Sequence, residues 1–187
     1  MKSVFVFTGM GAYQARDVEN FLNVFEYNYG RICEHNLEQL INPRDQVLII
    51  PGGSISDYKK VLPTIHEELI SFLEGGGQVV AICAGVIAFE AIDLLTYQPS
   101  DEPIMKVVEV TSDQEKFHMI LENPPILPSG EGTFLLEEHT LKPLGNRYKV
   151  GRGEAIALAG HLEGSYYNKL DPRTFSGSDL LQKLLTD

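Results

Sequence analysis

Two cysteines, Cys33 and Cys83, are all the thiol chemistry in this sequence. So few exclude a disulfide scaffold, and no secretory leader is legible. The apolar run Val4–Phe7 is too short for one and reads as a first strand. A reducing, cytoplasmic home is expected. Long hydrophobic runs are missing as well. No stretch approaches the roughly 20 apolar residues of a membrane span. There is no low-complexity tract and no repeat of fixed period. Basic residues are scarce: 15 Lys and Arg stand against 26 Asp and Glu, for a net charge of -11. No segment forms a basic stripe. Such a chain repels nucleic-acid phosphates and anionic membranes, so neither is an expected partner. No lysine-bearing phosphate loop occurs. The glycine segment "GMGAYQ" has Gln14 where a dinucleotide fingerprint requires its third glycine. No cysteine or histidine pair has zinc-ligand spacing. No cofactor and no metal is expected.

What is present is an ordinary globular mix, 43% hydrophobic and 22% charged over 187 residues, which suits one domain spanning 1–187. "QVLII" and "QVVAI" are apolar throughout, as strands buried on both faces are. Val18, Phe21, Leu22 and Phe25 recur at helical spacing. So do Leu62, Ile65, Leu69, Phe72 and Leu73, a run ended by Gly75, Gly76 and Gly77. "YGRICEHN" reads as a short second strand with Cys33 inside it, and "VIAFEAI" as a helix. After Asp93 the pattern changes. "IMKVVEV", "KFHMILEN", "GTFLLEEH" and "RYKV" are short runs between turn residues. They predict an antiparallel excursion over 104–150 at one sheet edge. "EAIALAGH" returns to the core. "SGSDLLQKLL" closes with an amphipathic helix capped by Ser178 or Asp179. The fold class is α/β: a flavodoxin-like, mostly parallel sheet with helices on both faces.

The chemistry centres on "AICAGV". A strand that turns sharply into a helix presents one side chain at its crest, and the neighbours there must be small. Ala81, Ala84 and Gly85 meet that demand around Cys83. A helix N-terminus just beyond favours the thiolate, and its backbone N–H groups suit an oxyanion. The plainer reading is a small buried hydrophobe that only packs. A thiol needs a base. Among the five histidines, His66 sits beside Glu67 and Glu68 on a solvated face. His35, His118 and His139 have no partner at a telling spacing. His161 follows "AIALAG", at the end of a core strand where sites gather in open sheets. Glu163, two residues on, points to the same side of an extended segment and can orient the imidazole. A structural histidine is the alternative. "PGGS" places Gly52 and Gly53 after a buried strand, where bare backbone can approach a ligand. An ordinary turn is the alternative. Tyr13, Tyr58 and Glu131 are further candidates for the pocket.

Taken together, "VLIIPGGS", "GGGQVVAICAGV" and "IALAGHLEG" resemble the class I glutamine amidotransferase-like superfamily in kind and order. The nearest likeness is to the amidotransferase-like domain at the N-terminus of eukaryotic biotin–protein ligases, which also occurs alone in bacteria. "TGMGAY", "PGGSISDY" and "AICAGV" carry it. The resemblance spans Val4 to Glu163. It implies a flavodoxin-like sheet and a Cys–His–Glu triad. Cys83 is then the nucleophile, His161 the base and Glu163 its orienter. Gly53 and Ala84 become oxyanion donors through their N–H groups, with Gly52 supporting that loop. Two departures stand out: Leu162 replaces the proline of the usual His-Pro-Glu, and Ala81 replaces a glycine two before the cysteine. Neither removes a reacting atom.

The expected function is a cysteine-dependent amidohydrolase or glutaminase-like enzyme acting on a small carboxamide through a thioester. Any ammonia acceptor or synthetase is expected on another chain. The alternative is a non-catalytic ligand-binding or regulatory module that keeps the pocket. A peptidase- or glyoxalase-type relative fits less well. Those carry an acidic residue near the cysteine from an early strand, and here Gly9, Met10 and Gly11 fill the early loop.

Overall fold

The computed structural model describes residues 2–101, 105–164 and 170–186. Its described strands form one nine-stranded sheet in the order β2-β1-β3-β4-β9-β8-β7-β5-β6. Five strands make the parallel half: β1 (Ser3–Phe7), β2 (Tyr29–Ile32), β3 (Gln46–Ile50), β4 (Gln78–Ile82) and β9 (Gly153–Leu158). Every residue of β3 and β4 is buried, which explains why each is apolar after its leading glutamine.

The helix α1 (Ala15–Val24) buries Val18, Phe21 and Leu22, the stripe its spacing predicts. Cys33 lies just after β2 instead of within it. The expected second helix is two. α2 (Ile55–Val61) and α3 (His66–Glu74) are separated by a 3-10 turn over Leu62–Thr64. Pro63 is the reason, because it lacks an N–H and clashes with a helix interior. Ser54 caps α2 by accepting from the Asp57 N–H. The segment after Cys83 is a 3-10 turn over Cys83–Val86 followed by the short α4 (Ile87–Ala91). The last helix, α5 (Gly177–Thr186), begins before Ser178 and Asp179. Neither therefore caps it, and Ser178 Oγ donates to Leu162 O instead.

The antiparallel excursion forms as β5 (Lys106–Ser112), β6 (Glu115–Leu121), β7 (Thr133–Glu137) and β8 (Pro143–Val150). Its predicted first residue, Ile104, lies outside the described residues. It is more than an edge extension. The strands curl so that the end of β6 returns to the chain just beyond β9, where Ile120 bridges His161. Among the described residues, no helix is long and apolar enough to cross a membrane.

Candidate functional site

Three segments that are remote in sequence converge at the C-terminal ends of β3, β4 and β9. Cys83 follows β4 with φ of +52°, a left-handed conformation rare for a residue with a Cβ. Such strain persists only where surrounding packing enforces it. The packing here is tight. A Cβ on Gly85 would sit 2.4 Å from Ile50 O and 2.6 Å from Pro51 O, so the crest rests directly on the end of β3. That is why the sequence keeps small residues beside the thiol. Tyr58 braces the same end of β3, donating to Pro51 O at 2.7 Å. Burial and the nearby Cys83 sulfur both push the Tyr58 hydroxyl pKa up.

His161 and Glu163 lie beyond β9. His161 Nδ1 and Glu163 Oε1 are 2.8 Å apart, with both side chains inside the protein. The extended "HLE" segment puts them on one side while Leu162 enters the core. Burial disfavours a charged ring. The Glu163 carboxylate and the adjacent Cys83 sulfur outweigh it and hold the imidazole pKa well above the ordinary histidine range. Among the described residues, the other ring nitrogen, Nε2, is buried with no hydrogen-bond partner. The Cys83 thiol donates to Glu122 O at 3.2 Å. Sulfur and ring are thus neighbours, and the sulfur is close enough to raise the imidazole pKa.

Gly52 and Gly53 are where close approach is needed. A Cβ on Gly52 would lie 2.0 Å from Gln14 Oε1 and 2.9 Å from His161 Cε1. A Cβ on Gly53 would lie 1.8 Å from Gly11 O. The "PGGS" loop is therefore wedged between the early glycine loop and His161, and Gln14 N–H donates to Gly52 O at 3.1 Å. Among the described residues, no acceptor is recorded for the N–H of Gly53 or of Ala84.

A cavity of about 420 Å³ opens over Cys83, lined also by Gly53 and Ala84. Tyr13 lines it as expected, whereas Tyr58 and Glu131 do not. The remaining walls come from residues that sequence reasoning missed: Gln14, Ile55, Tyr97, Glu122 and Asn123. Only Gln14 stands out in the sequence, as a misfit in a nucleotide motif. The others carry no local signal, because β6 must curl back before Glu122 reaches the thiol. A larger depression of about 520 Å³ lies elsewhere, among Glu34, Glu38, Glu67 and Glu68. It contains none of the predicted site residues. Among the described residues, no cluster of three His, Cys, Asp or Glu side chains could hold a metal.

No family model matches the sequence, and no curated protein does. Solved structures do match. PurLQS from Thermotoga maritima superposes with a TM-score of 0.75 at 16% identity, over 98% of this chain and 97% of that one. A protein assigned as a GMP synthase subunit, from Thermoplasma acidophilum, gives 0.70 at 14% identity, over 99% and 92%. The exo-β-1,4-mannosidase Op5Man5 of an Opitutaceae bacterium gives 0.65 at 15% identity, and there the match is 97% of this chain but 35% of that one. Identities this low speak for the fold alone. The chain shares with them an α/β fold: a mostly parallel central sheet flanked by helices, with antiparallel strands at one edge.

Proposed function

We propose that this protein is a cysteine-dependent amidohydrolase, glutaminase-like in mechanism, that cleaves a small carboxamide. The motif likeness to the stand-alone biotin–ligase-type amidotransferase domain belongs to the same reading, as does one domain over the whole chain. The observation that carries it is the meeting of Cys83, His161 and Glu163 beside a cavity that also presents Gly53 and Ala84. The Cys83 sulfur, its proton passed to His161, attacks the carbonyl carbon, and a C–S bond forms. Negative charge moves to the carbonyl oxygen, which the Gly53 and Ala84 N–H groups hold. One such donor is typically worth about 3 kcal/mol in the barrier. The C–N bond then breaks, and His161 gives its proton to the departing ammonia or amine. Water, deprotonated by His161, splits the thioester to release a carboxylate and restore the thiol. Glu163 keeps the ring oriented and supports its charge.

One observation favours the alternative of a ligand-binding module. The thiol proton is directed at Glu122 O, and Nε2 is unpaired. Both readings meet the same experiment. Ammonia release is measured from a panel of small carboxamides with the wild type, Cys83→Ala and Cys83→Ser. Alkylation by chloroacetamide is mapped in parallel by mass spectrometry. Turnover lost in both variants, with Cys83 labelled faster than Cys33 and protected by a carboxamide, supports the enzyme. Turnover retained in Cys83→Ala removes the mechanism. Slow, equal labelling of both cysteines supports the binding module.

A further inference from the structure

The cavity over Cys83 has a chemical character that the reaction alone does not require. Among the described residues that line it, Glu122 is the only one with a formal charge. Its Oε2 accepts from Gln14 Nε2 at 3.0 Å. Among the described residues, no lysine, arginine or histidine lines the space. Asp57 stands behind Tyr13, whose hydroxyl donates to it at 2.5 Å, but Lys60 answers that charge at 2.8 Å. A second observation concerns a polar group at the same wall. Tyr97 lines the cavity at 8% exposure, and its hydroxyl is buried with no hydrogen-bond partner. An unpaired buried hydroxyl is costly unless a bound molecule satisfies it. Burial first, then the Cys83 sulfur and Glu90, push this hydroxyl up to about 12, so it remains a donor.

From this lining we infer that the cavity takes a small carboxamide carrying a protonated amine and no carboxylate. Glu122 answers the ammonium, and Tyr97 donates to a polar atom beside the reacting carbon. The inference rests on the reading of Cys83 as nucleophile and names the substrate class. A substrate with a free carboxylate would bring its anion against Glu122, and like charges at a binding surface repel.

The test separates the two claims. Three chloroacetamides are used: N-(2-aminoethyl)chloroacetamide, cationic; N-(2-hydroxyethyl)chloroacetamide, neutral; and N-chloroacetylglycine, anionic. Cys83 alkylation rates are read by mass spectrometry and divided by each reagent's rate with 2-mercaptoethanol. The wild type should prefer the cationic over the anionic reagent by about tenfold or more, the neutral one falling between. Glu122→Gln keeps the backbone carbonyl that the thiol addresses and should remove most of that preference. Tyr97→Phe should slow all three reagents alike. No charge preference, an anion preference, or a cation preference unchanged in Glu122→Gln overturns the inference, while fast labelling of Cys83 leaves the nucleophile standing. Rates unchanged in Tyr97→Phe overturn that residue's part. Cys83 labelled no faster than Cys33 by every reagent overturns the nucleophile, and the inference falls with it.

Discussion

The backbones of Ile120 and His161 exchange two hydrogen bonds, Ile120 N–H to His161 O at 3.0 Å and His161 N–H to Ile120 O at 2.8 Å. Two residues further on, Glu122 O receives the Cys83 thiol. The end of β6 therefore touches both halves of the proposed dyad. A strand from the antiparallel excursion fixes where a base from the parallel half can stand.

That link can be cut selectively. Ile120 sits opposite Val107 in the β5–β6 ladder, with its own N–H and C=O turned toward His161. Ile120→Pro removes the donor to His161 O and spares the ladder bonds to β5. Ile120→Ala, which loses packing alone, is the control and is expected to cost about 2–5 kcal/mol. Turnover in the proline variant should fall about 100-fold below the alanine variant, the scale of an ångström's misplacement. Equal turnover in the two, with matching circular dichroism, would show that the bridge does not position His161.

Glu163→Gln should lower turnover by roughly 10³–10⁴ while leaving the fold intact, because the ring loses its orienting charge. The pH dependence has a definite sign. The imidazole pKa is raised in the folded protein, and an unfolded histidine titrates near about 6.5. The stabilisation from the charged ring is complete below that unfolded value and is lost as pH climbs through the raised one. The gap in thermal midpoint between wild type and Glu163→Gln should thus be widest in mild acid and narrow toward alkaline pH. The ring's NMR titration should move to lower pH in the variant. A gap that widens with pH would contradict the charge assignment.

Gly53→Ala places a methyl 1.8 Å from Gly11 O, a backbone atom that cannot swing aside. The early loop or the "PGGS" loop must move. A stability loss of about 1–3 kcal/mol in urea unfolding is expected, with reduced turnover. Gly130→Ala meets nothing within 4 Å and should stay within about 0.5 kcal/mol of wild type. If both substitutions behaved alike, the proposed close approach of the two loops would be wrong.

Tyr58→Phe deletes the donor to Pro51 O and leaves that buried carbonyl unpaired. The expected destabilisation is about 1–3 kcal/mol. Because Pro51 leads directly into Gly52 and Gly53, Cys83 alkylation should also slow. Unchanged stability and unchanged alkylation together would mean that the hydroxyl does not brace the loop.

Much of the frame is legible without coordinates. β3 and β4 after their leading glutamines, and β9 after Glu154, announce themselves as apolar runs, because a strand covered on both faces has little polar side to show. The stripe on α1 and the small neighbours of Cys83 are equally local. The segment after "PGGS" reads as one helix and folds as two. Its apolar period runs on through Pro63, whose ring breaks the backbone and leaves the side-chain spacing untouched. Cys33 falls outside β2 because strand ends are set by pairing with β1, and no residue type marks them.

Local patterns along the chain are enough for the α/β class, the sharp turn after β4 at Cys83, the glycine loop after β3 and the pairing of His161 with Glu163. Each depends on residues that are neighbours along the chain, or on a periodicity a few residues long. Only the tertiary structure decided that β6 curls back to His161, that Glu122 faces the thiol, and that Tyr97 ends with a buried, unpaired hydroxyl. Those contacts join segments whose approach depends on the curvature of the whole sheet. No local pattern of side chains encodes that curvature.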